Sequence, residues 1–187
     1  MLPGNRPSAQ LAYGRKRVLC RFAVLRYTLG MDIFSIMGSK PVLIGLHLGF
    51  AIIGIDAFLW LFGEIKNASW HTKRLRITAL IGVAGFALSW LFGGYYYVKF
   101  YGELVKPVIK GGLAPWAHNI IMETKEHIFL FIIPLALTAL FITFLKADEF
   151  GNAGLRGRAL ALSGFIALLG LAIGLMGFVI SAAARWG

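Results

Sequence analysis

Charged residues and cysteine are scarce in this chain. Asp, Glu, Lys and Arg make up only 14% of its 187 positions, against about 25% in ordinary soluble domains. The single cysteine, Cys20, excludes an intrachain disulfide and any CxxC metal or redox site. A Walker A loop, HExxH, GxSxG, a Rossmann fingerprint and a row of voltage-sensing arginines are also missing. The sequence therefore carries no complete catalytic signature, and whether the protein is an enzyme stays open.

Apolar residues are abundant instead. They fill 58% of the chain, and the mean hydropathy is +0.75. Four apolar runs are close to the roughly 20 residues that a spanning helix needs, and they cover about 41–63, 77–98, 118–145 and 160–184. Backbone groups in lipid must be paired internally, which requires helices, and short links make neighbouring helices antiparallel. The sequence predicts an all-α integral membrane protein whose residues 41–187 form an up-down-up-down four-helix bundle. The link 99–114 is predicted to form a re-entrant or interfacial lid.

Residues 1–40 form a separate basic segment. Its first 30 residues hold six basic side chains and no acidic one. They resemble a basic amphipathic surface helix, an organellar presequence, or an extension upstream of a true start at Met31. The net charge of +11 flanks apolar spans, which favours lipid headgroups over nucleic acid as the partner. Twelve basic residues lie on the predicted N-terminal side of the membrane and seven on the opposite side, which favours an inside N-terminus. A start at Met31 removes this bias. The predicted location is a bacterial plasma membrane.

Two histidines are predicted to lie at similar depth. His47 is in the first span and His127 in the third, and these two spans run in the same direction in an up-down bundle. Two facing imidazoles can ligate a haem iron axially, or hold copper or a similar metal. Glu123 lies one helical turn before His127 and can accept its second N–H. The alternative is that each is an interfacial histidine bonded to backbone or lipid.

Other polar residues within the spans also need a reason to be there. His118 and Met122 share a helix face, whereas His118 and His127 lie on opposite faces. His118 is therefore an external ligand, a quinone-site residue or an interfacial residue without a role. Asp56 would have the highest free-energy cost of any residue in the spans if it were charged in lipid. One interpretation is a proton relay or an ion site. The other is a hydrogen bond to a neighbouring helix, at Ser89 or Thr138.

Small residues recur at helical spacing in two spans. Such stripes let helix backbones approach closely, and they can also leave room for a flat porphyrin, as at Gly170 and Gly174. The second span contains Gly82, Gly85, Ser89 and Gly93, and the fourth contains Ser163, Ala167, Gly170, Gly174, Gly177 and Ser181.

The segment Ile44-Gly45-Leu46-His47-Leu48, opening a four-helix unit, resembles the first helix of cytochrome b561-like and copper-resistance-D-like membrane proteins. The resemblance covers little more than this helix and the His127 region. It implies a haem held by histidines on different helices, which here means one haem b between His47 and His127. Two-haem members need two histidine pairs, and the second and fourth spans of this chain contain no histidine.

Three functions are consistent with these residues. The first is electron transfer by a single b-type haem, with a quinone or a redox protein as partner. The second is a non-catalytic subunit or assembly factor in a homo- or hetero-oligomer. The third is transport of protons or metal ions through Asp56, with His118, Met122 and His127 as an entry site.

Overall fold

All regular structure in the described part of the chain is helical. The computed structural model describes residues 33, 35–67, 72–152 and 154–186. The basic segment up to residue 32, and with it Cys20 and Met31, lies outside these residues, as do Trp70 and His71. The helices are α1 (Lys40–Lys66), α2 (Thr72–Gly111), α3 (Ala117–Ile142), α4 (Ala147–Asn152) and α5 (Arg156–Ala183).

Four of these helices correspond to the predicted spans. By length and composition, α1, α2, α3 and α5 could each cross a membrane. Their outward surfaces are largely apolar: Leu168, Leu175 and Phe178 on α5 are all more than 60% exposed. Lipid is the solvent that suits such a surface. The all-helical class and the four apolar helices agree with the prediction, and α1 begins at Lys40, next to the predicted start at Pro41.

Helix α2 is longer than the sequence suggests. The stretch predicted as a link and lid is helical as far as Gly111, and it ends where Gly112 adopts an extended conformation. At about 1.5 Å per residue, its 40 residues reach roughly 60 Å, twice the hydrocarbon thickness of about 30 Å. One end of α2 must therefore extend beyond a single straight crossing.

Two segments wind as π-helix. They are Tyr97–Val105 within α2 and Ala117–Met122 at the start of α3. The π-helix is rare, and short π segments inside α-helices often occur at functional sites. The two segments lie on either side of the short Gly112–Trp116 connection, so they bring their side chains to the same region.

Glycines on α2 let it pack closely on α1. A Cβ placed on Gly85 would lie 2.8 Å from the backbone nitrogen of Gly54, and one on Gly82 would lie 2.6 Å from the Phe58 ring. Phe58 and Phe86 stack with their centroids 5.7 Å apart. The small-residue stripe predicted on the second span is therefore a helix-packing surface, as the close-packing interpretation requires.

Polar contacts join the opposite ends of these helices. The buried Glu64 carboxylate accepts hydrogen bonds from Arg74 and, at 3.0 Å, from Trp60. Arg76 of α2 donates to the carbonyl oxygens of Thr143 and Phe144 just after α3. Arg156 at the start of α5 donates to the carbonyl oxygens of Ile65 and Lys66 at the end of α1. These contacts satisfy carbonyl groups that a helix end leaves without partners.

Candidate functional site

His47 is held in the contact between α1 and α2. Its Nδ1 lies 2.8 Å from the carbonyl oxygen of Ser89 and 3.0 Å from the Ser89 hydroxyl, which itself donates to the carbonyl oxygen of His47. Because a carbonyl oxygen only accepts, Nδ1 carries the proton, and Nε2 keeps its lone pair. No residue of the described part bonds to Nε2. Gly93 makes room for the ring, since a Cβ there would collide with Nδ1.

His127 is anchored in the same way on α3. Its Nδ1 lies 2.7 Å from the main-chain carbonyl oxygen of Glu123, one turn earlier. The acceptor is thus the backbone of Glu123, whereas the sequence suggested its carboxylate. The consequence for the ring is the same, because Nδ1 donates and Nε2 is left as the atom with a lone pair. Within the described residues Nε2 of His127 has no hydrogen-bond partner either.

The two histidines do not face each other in this arrangement. His127 is on the exposed side of α3. Lys125 occupies the inner side instead: its Nζ lies 3.7 Å from a Cβ built on Gly177 of α5, and its charge acts on His47. Two residues correspond to a turn of about 200° around a helix. The structure therefore places Lys125, and not His127, towards His47.

A second polar pair lies where the two π-helical segments meet. The Tyr101 hydroxyl is 2.9 Å from Nδ1 of His118, and the two residues are only 2% and 3% exposed. Tyr97 stacks on Tyr101 with centroids 5.1 Å apart. Met122, predicted to share a face with His118, is buried in the same region. The apolar cluster around the pair consists of Val105, Ile109, Ala114, Ala117, Met122, Ile180 and Ala183.

Charged groups of both signs surround this pair without bonding to it. Lys106 and Lys110 act electrostatically on His118, and so do Glu123 and Glu126. The Glu126 carboxylate also interacts with the Tyr97 hydroxyl. Both carboxylates are exposed. The polar atoms of the buried Tyr101–His118 pair therefore lie among apolar side chains, and charged groups act on them from outside this cluster.

Asp56 is on the outward face of α1. It is exposed, and no hydrogen bond joins it to another residue in the described ranges. The two partners that the sequence suggested bond elsewhere: Ser89 bonds to His47, and Thr138 donates to the carbonyl oxygen of Pro134 at 2.9 Å. Gly45 and Gly49 share this face, and a Cβ on either would meet nothing within 4 Å.

The glycines suggested as room for a porphyrin have different surroundings. A Cβ on Gly170 would lie 2.7 Å from the Ile55 side chain and 3.4 Å from Phe86. Side chains of the protein therefore fill the space beside Gly170. Gly174, one turn later, has nothing within 4 Å and faces outward.

A metal cluster with three or more protein ligands is not found. Among residues 33, 35–67, 72–152 and 154–186, no three His, Cys, Asp or Glu side chains are grouped so that they could hold an ion. Two axial histidines on a haem are a different arrangement, because the porphyrin nitrogens supply the other four ligands.

Sequence reasoning did not select three residues that the structure makes prominent. Lys125 was not singled out, yet it lies against Gly177 of α5. Tyr101 was treated as part of a link, yet it is the buried partner of His118. Glu64 was placed in the link after the first span, yet it lies within α1 and pairs with Arg74.

Comparisons with protein-family models, curated proteins and solved structures gave no significant match for this chain.

Proposed function

We propose that this chain is an integral protein of a bacterial plasma membrane that binds one haem b and transfers electrons. His47 and His127 would hold the haem, which would supply a one-electron redox centre, and the electron partner would be a quinone or a redox protein. The four long helices form an up-down-up-down bundle in which these two residues lie at similar depth.

The order of contacts supports the bundle. Along α1, His47 contacts Ser89, Gly54 contacts Gly85, and Glu64 contacts Arg74. In these contacts the residue numbers rise along α1 while they fall along α2, so the two helices run antiparallel. The end of α1 lies beside the start of α5, and the start of α2 lies beside the end of α3. Four antiparallel crossings in sequence order account for all of these contacts.

One observation carries the haem proposal. Both histidines donate from Nδ1 to a main-chain carbonyl oxygen, at 2.8 Å for His47 and 2.7 Å for His127. Histidines that bind metal commonly use their second N–H in this way, because the bond fixes the tautomer and orients the ring. The donor set therefore fits haem, which supplies a one-electron redox centre when bound.

If His47 and His127 bind the same iron, α3 must adopt a different orientation from the one in the structure. His127 has to turn towards α1, and Lys125 has to leave the position between His47 and Gly177. A rotation of α3 achieves both changes together. The helix has the means to move, because the π-helical turn Ala117–Met122 at its start can change to α-helix and rotate the residues that follow.

An absorption spectrum tests this proposal. Protein purified in detergent, as isolated or after addition of haemin, is expected to show a Soret band that shifts on reduction with dithionite. The band should be lost in His47→Ala and in His127→Ala, because each removes an axial ligand. His71→Ala is the control and should keep the band. A colourless wild type after haemin addition, or a band that survives both ligand substitutions, contradicts the proposal.

A specific observation favours a second function, that of a subunit in a larger membrane complex. The outward face of α1 combines Gly45 and Gly49, which have open space above them, with Asp56, which has no partner among the described residues. An acid facing lipid costs about 2.5–3.5 kcal/mol on insertion scales. A helix of another subunit that offers a hydrogen-bond donor to Asp56 removes this cost, and the glycines let it approach closely.

Native electrophoresis of tagged protein in a mild detergent tests this second function. The wild type is expected to migrate as a complex larger than one chain, and Asp56→Leu as a single chain. Asp148→Leu changes an exposed acid on α4 and should leave the complex intact. A wild type that migrates as one chain, or a complex that tolerates Asp56→Leu, removes this function. The transport hypothesis stays a prediction, since no described contact joins Asp56 to His118 or Met122.

A further inference from the structure

We propose that the buried Tyr101–His118 pair is a binding site for the headgroup of a membrane quinone, with Nε2 of His118 donating a hydrogen bond to a quinone carbonyl oxygen. The inference goes beyond haem binding, and it uses different residues from those that the haem proposal uses.

The first step is the position of the protons in the pair. Tyr101 and His118 share one hydrogen bond, between the hydroxyl and Nδ1, at 2.9 Å. If Nδ1 donated, the Tyr101 hydroxyl hydrogen would need a second acceptor, and none is found among the described residues. If Tyr101 donates, both Nδ1 and the hydroxyl hydrogen are satisfied at once. With Nδ1 as donor, both the Tyr101 hydroxyl hydrogen and the Nε2 lone pair lack a described partner, whereas with Tyr101 as donor only the Nε2 hydrogen does. We therefore assign Tyr101 as the donor and the ring proton to Nε2, because this arrangement leaves fewer groups unpaired.

The second step is that this Nε2–H is a buried donor without an acceptor. His118 is only 3% exposed, and no described residue accepts a bond from Nε2. A buried donor left without an acceptor costs about 1–3 kcal/mol. Such groups are uncommon in folded proteins, and each one calls for an explanation such as a bound molecule. Within the described part of the chain, the site therefore lacks a hydrogen-bond acceptor for Nε2.

The third step is the chemistry of the acceptor. The surroundings of the pair are apolar side chains, including Ile109, Ala117 and Ile180. The rings of Tyr97, Tyr101 and His118 lie against one another, with centroids 5.1 Å and 5.8 Å apart. An apolar wall of aromatic rings with one hydrogen-bond donor suits a flat, neutral ring that carries a carbonyl oxygen. A quinone headgroup has this chemistry and reaches the protein through the membrane.

The location of the pair supports a ligand that comes from lipid. On the same π-helical segment as Tyr101, the large apolar side chains of Val98 and Leu104 are 84% and 54% exposed. These side chains give the apolar tail of a quinone a surface to lie on. Ester carbonyl groups of lipids share the acceptor chemistry but have no flat ring to place beside Tyr97 and Tyr101.

The proposal is tested by adding decylubiquinone, or its naphthoquinone counterpart, to the full chain in nanodiscs of ester-linked phosphatidylcholine. Lipid carbonyl groups are then present in large excess as competitors. Saturable quenching of tryptophan fluorescence is expected, and the carbonyl stretch of a ¹³C-labelled quinone should shift to lower wavenumber. His118→Phe keeps a ring but removes the donor, so the affinity should fall about tenfold or more. Asn119→Ala, an exposed neighbour, should bind as the wild type does.

Further variants and controls make the result decisive. Tyr101→Phe removes the group that fixes the tautomer of His118 while it leaves Nε2 in place, so it should weaken binding less than His118→Phe. Circular dichroism and the elution profile show whether each variant is folded. Absence of saturable binding by the wild type means that water alone satisfies Nε2 and overturns the proposal, as does a folded His118→Phe with unchanged affinity. The Soret band of each sample is recorded separately, so a failure of haem binding is not confused with a failure of this site.

Discussion

Single glycines in this protein have two distinct environments. Gly85 touches backbone atoms of α1, whereas Gly94, nine residues later on the same helix, has nothing within 4 Å. The same residue type therefore allows close helix contact at one position and faces outward at the other. This difference is visible only when the neighbouring helix is known, because both glycines look alike in the sequence.

Substituting these two glycines by alanine should have opposite effects on stability. In Gly85→Ala the new methyl group would lie 2.8 Å from the Gly54 nitrogen and 2.9 Å from the Phe50 carbonyl oxygen. Backbone atoms cannot move aside cheaply, so a loss of about 1–3 kcal/mol is expected, as for overpacked cores. Gly94→Ala adds a methyl group in open space and should be neutral or stabilising by up to about 1 kcal/mol. Unfolding by SDS in mixed micelles, followed by circular dichroism, measures both. Equal stabilities for the two variants would show that α1 and α2 do not pack as described.

The histidines show how far residue-level prediction reaches. The sequence identified His47, His118 and His127 as residues that need a reason, because polar groups are costly within apolar spans. It could not assign their partners. The partners of these histidines depend on how each helix is rotated about its axis, and a single sequence does not determine that rotation. Ser89 was thus expected beside Asp56, although it bonds to His47, and the inner position of Lys125 was not expected at all.

Among the helices, α2 differs most from the prediction. The predicted span, about 77–98, lies within this helix, since a run of about 20 apolar residues is a strong signal for a helix. The extension from Lys99 to Gly111 was not predicted as helix, because Tyr, Lys, Pro and Gly there interrupt the apolar run. Pro107 stands at the beginning of the last α-helical segment, directly after the π-helical turns, which is the point where the winding changes.

The two π-helical segments have consequences for function. A π turn adds one residue per turn, so it shifts the residues beyond it around the helix axis. Tyr101 lies within one such segment and His118 within the other, and their hydrogen bond joins the two. Nothing in the composition of Tyr97–Val105 distinguishes it from ordinary α-helix, which explains why the sequence did not reveal the pair. The haem proposal requires α3 to rotate, and the π-helical turn at its start is where we propose that the rotation occurs.

The distribution of polar side chains over the whole molecule is uneven. Ion pairing and backbone contacts of arginine occur at one end of the helices, through Arg74, Arg76 and Arg156. The histidines and tyrosines lie towards the other end. At the arginine end the contacts stabilise the fold, because the arginines donate hydrogen bonds to carboxylate and carbonyl oxygen atoms. The second end holds donors and lone pairs without protein partners in the described residues, which is where ligand chemistry is possible.

This polarity leads to a prediction about membrane topology. If the four helices cross the membrane in turn, the connection near Lys66 and the one near Glu149 lie on one side, and the Gly112–Trp116 connection lies on the other. Cys20 is the sole cysteine of the chain, so Cys20→Ser gives a background without thiols. Lys66→Cys, Leu113→Cys and Glu149→Cys each then add one exposed thiol.

Labelling of sealed, oriented vesicles with a membrane-impermeant maleimide distinguishes the two sides. Lys66→Cys and Glu149→Cys should label from the same side, and Leu113→Cys only from the opposite side or after detergent is added. Three variants that label from one side would mean that at least one helix does not cross the membrane. The proposed bundle, the similar depth of His47 and His127, and the haem between them would then lose their basis. The quinone site would still stand, since Tyr101 and His118 are joined by contacts close to a single connection.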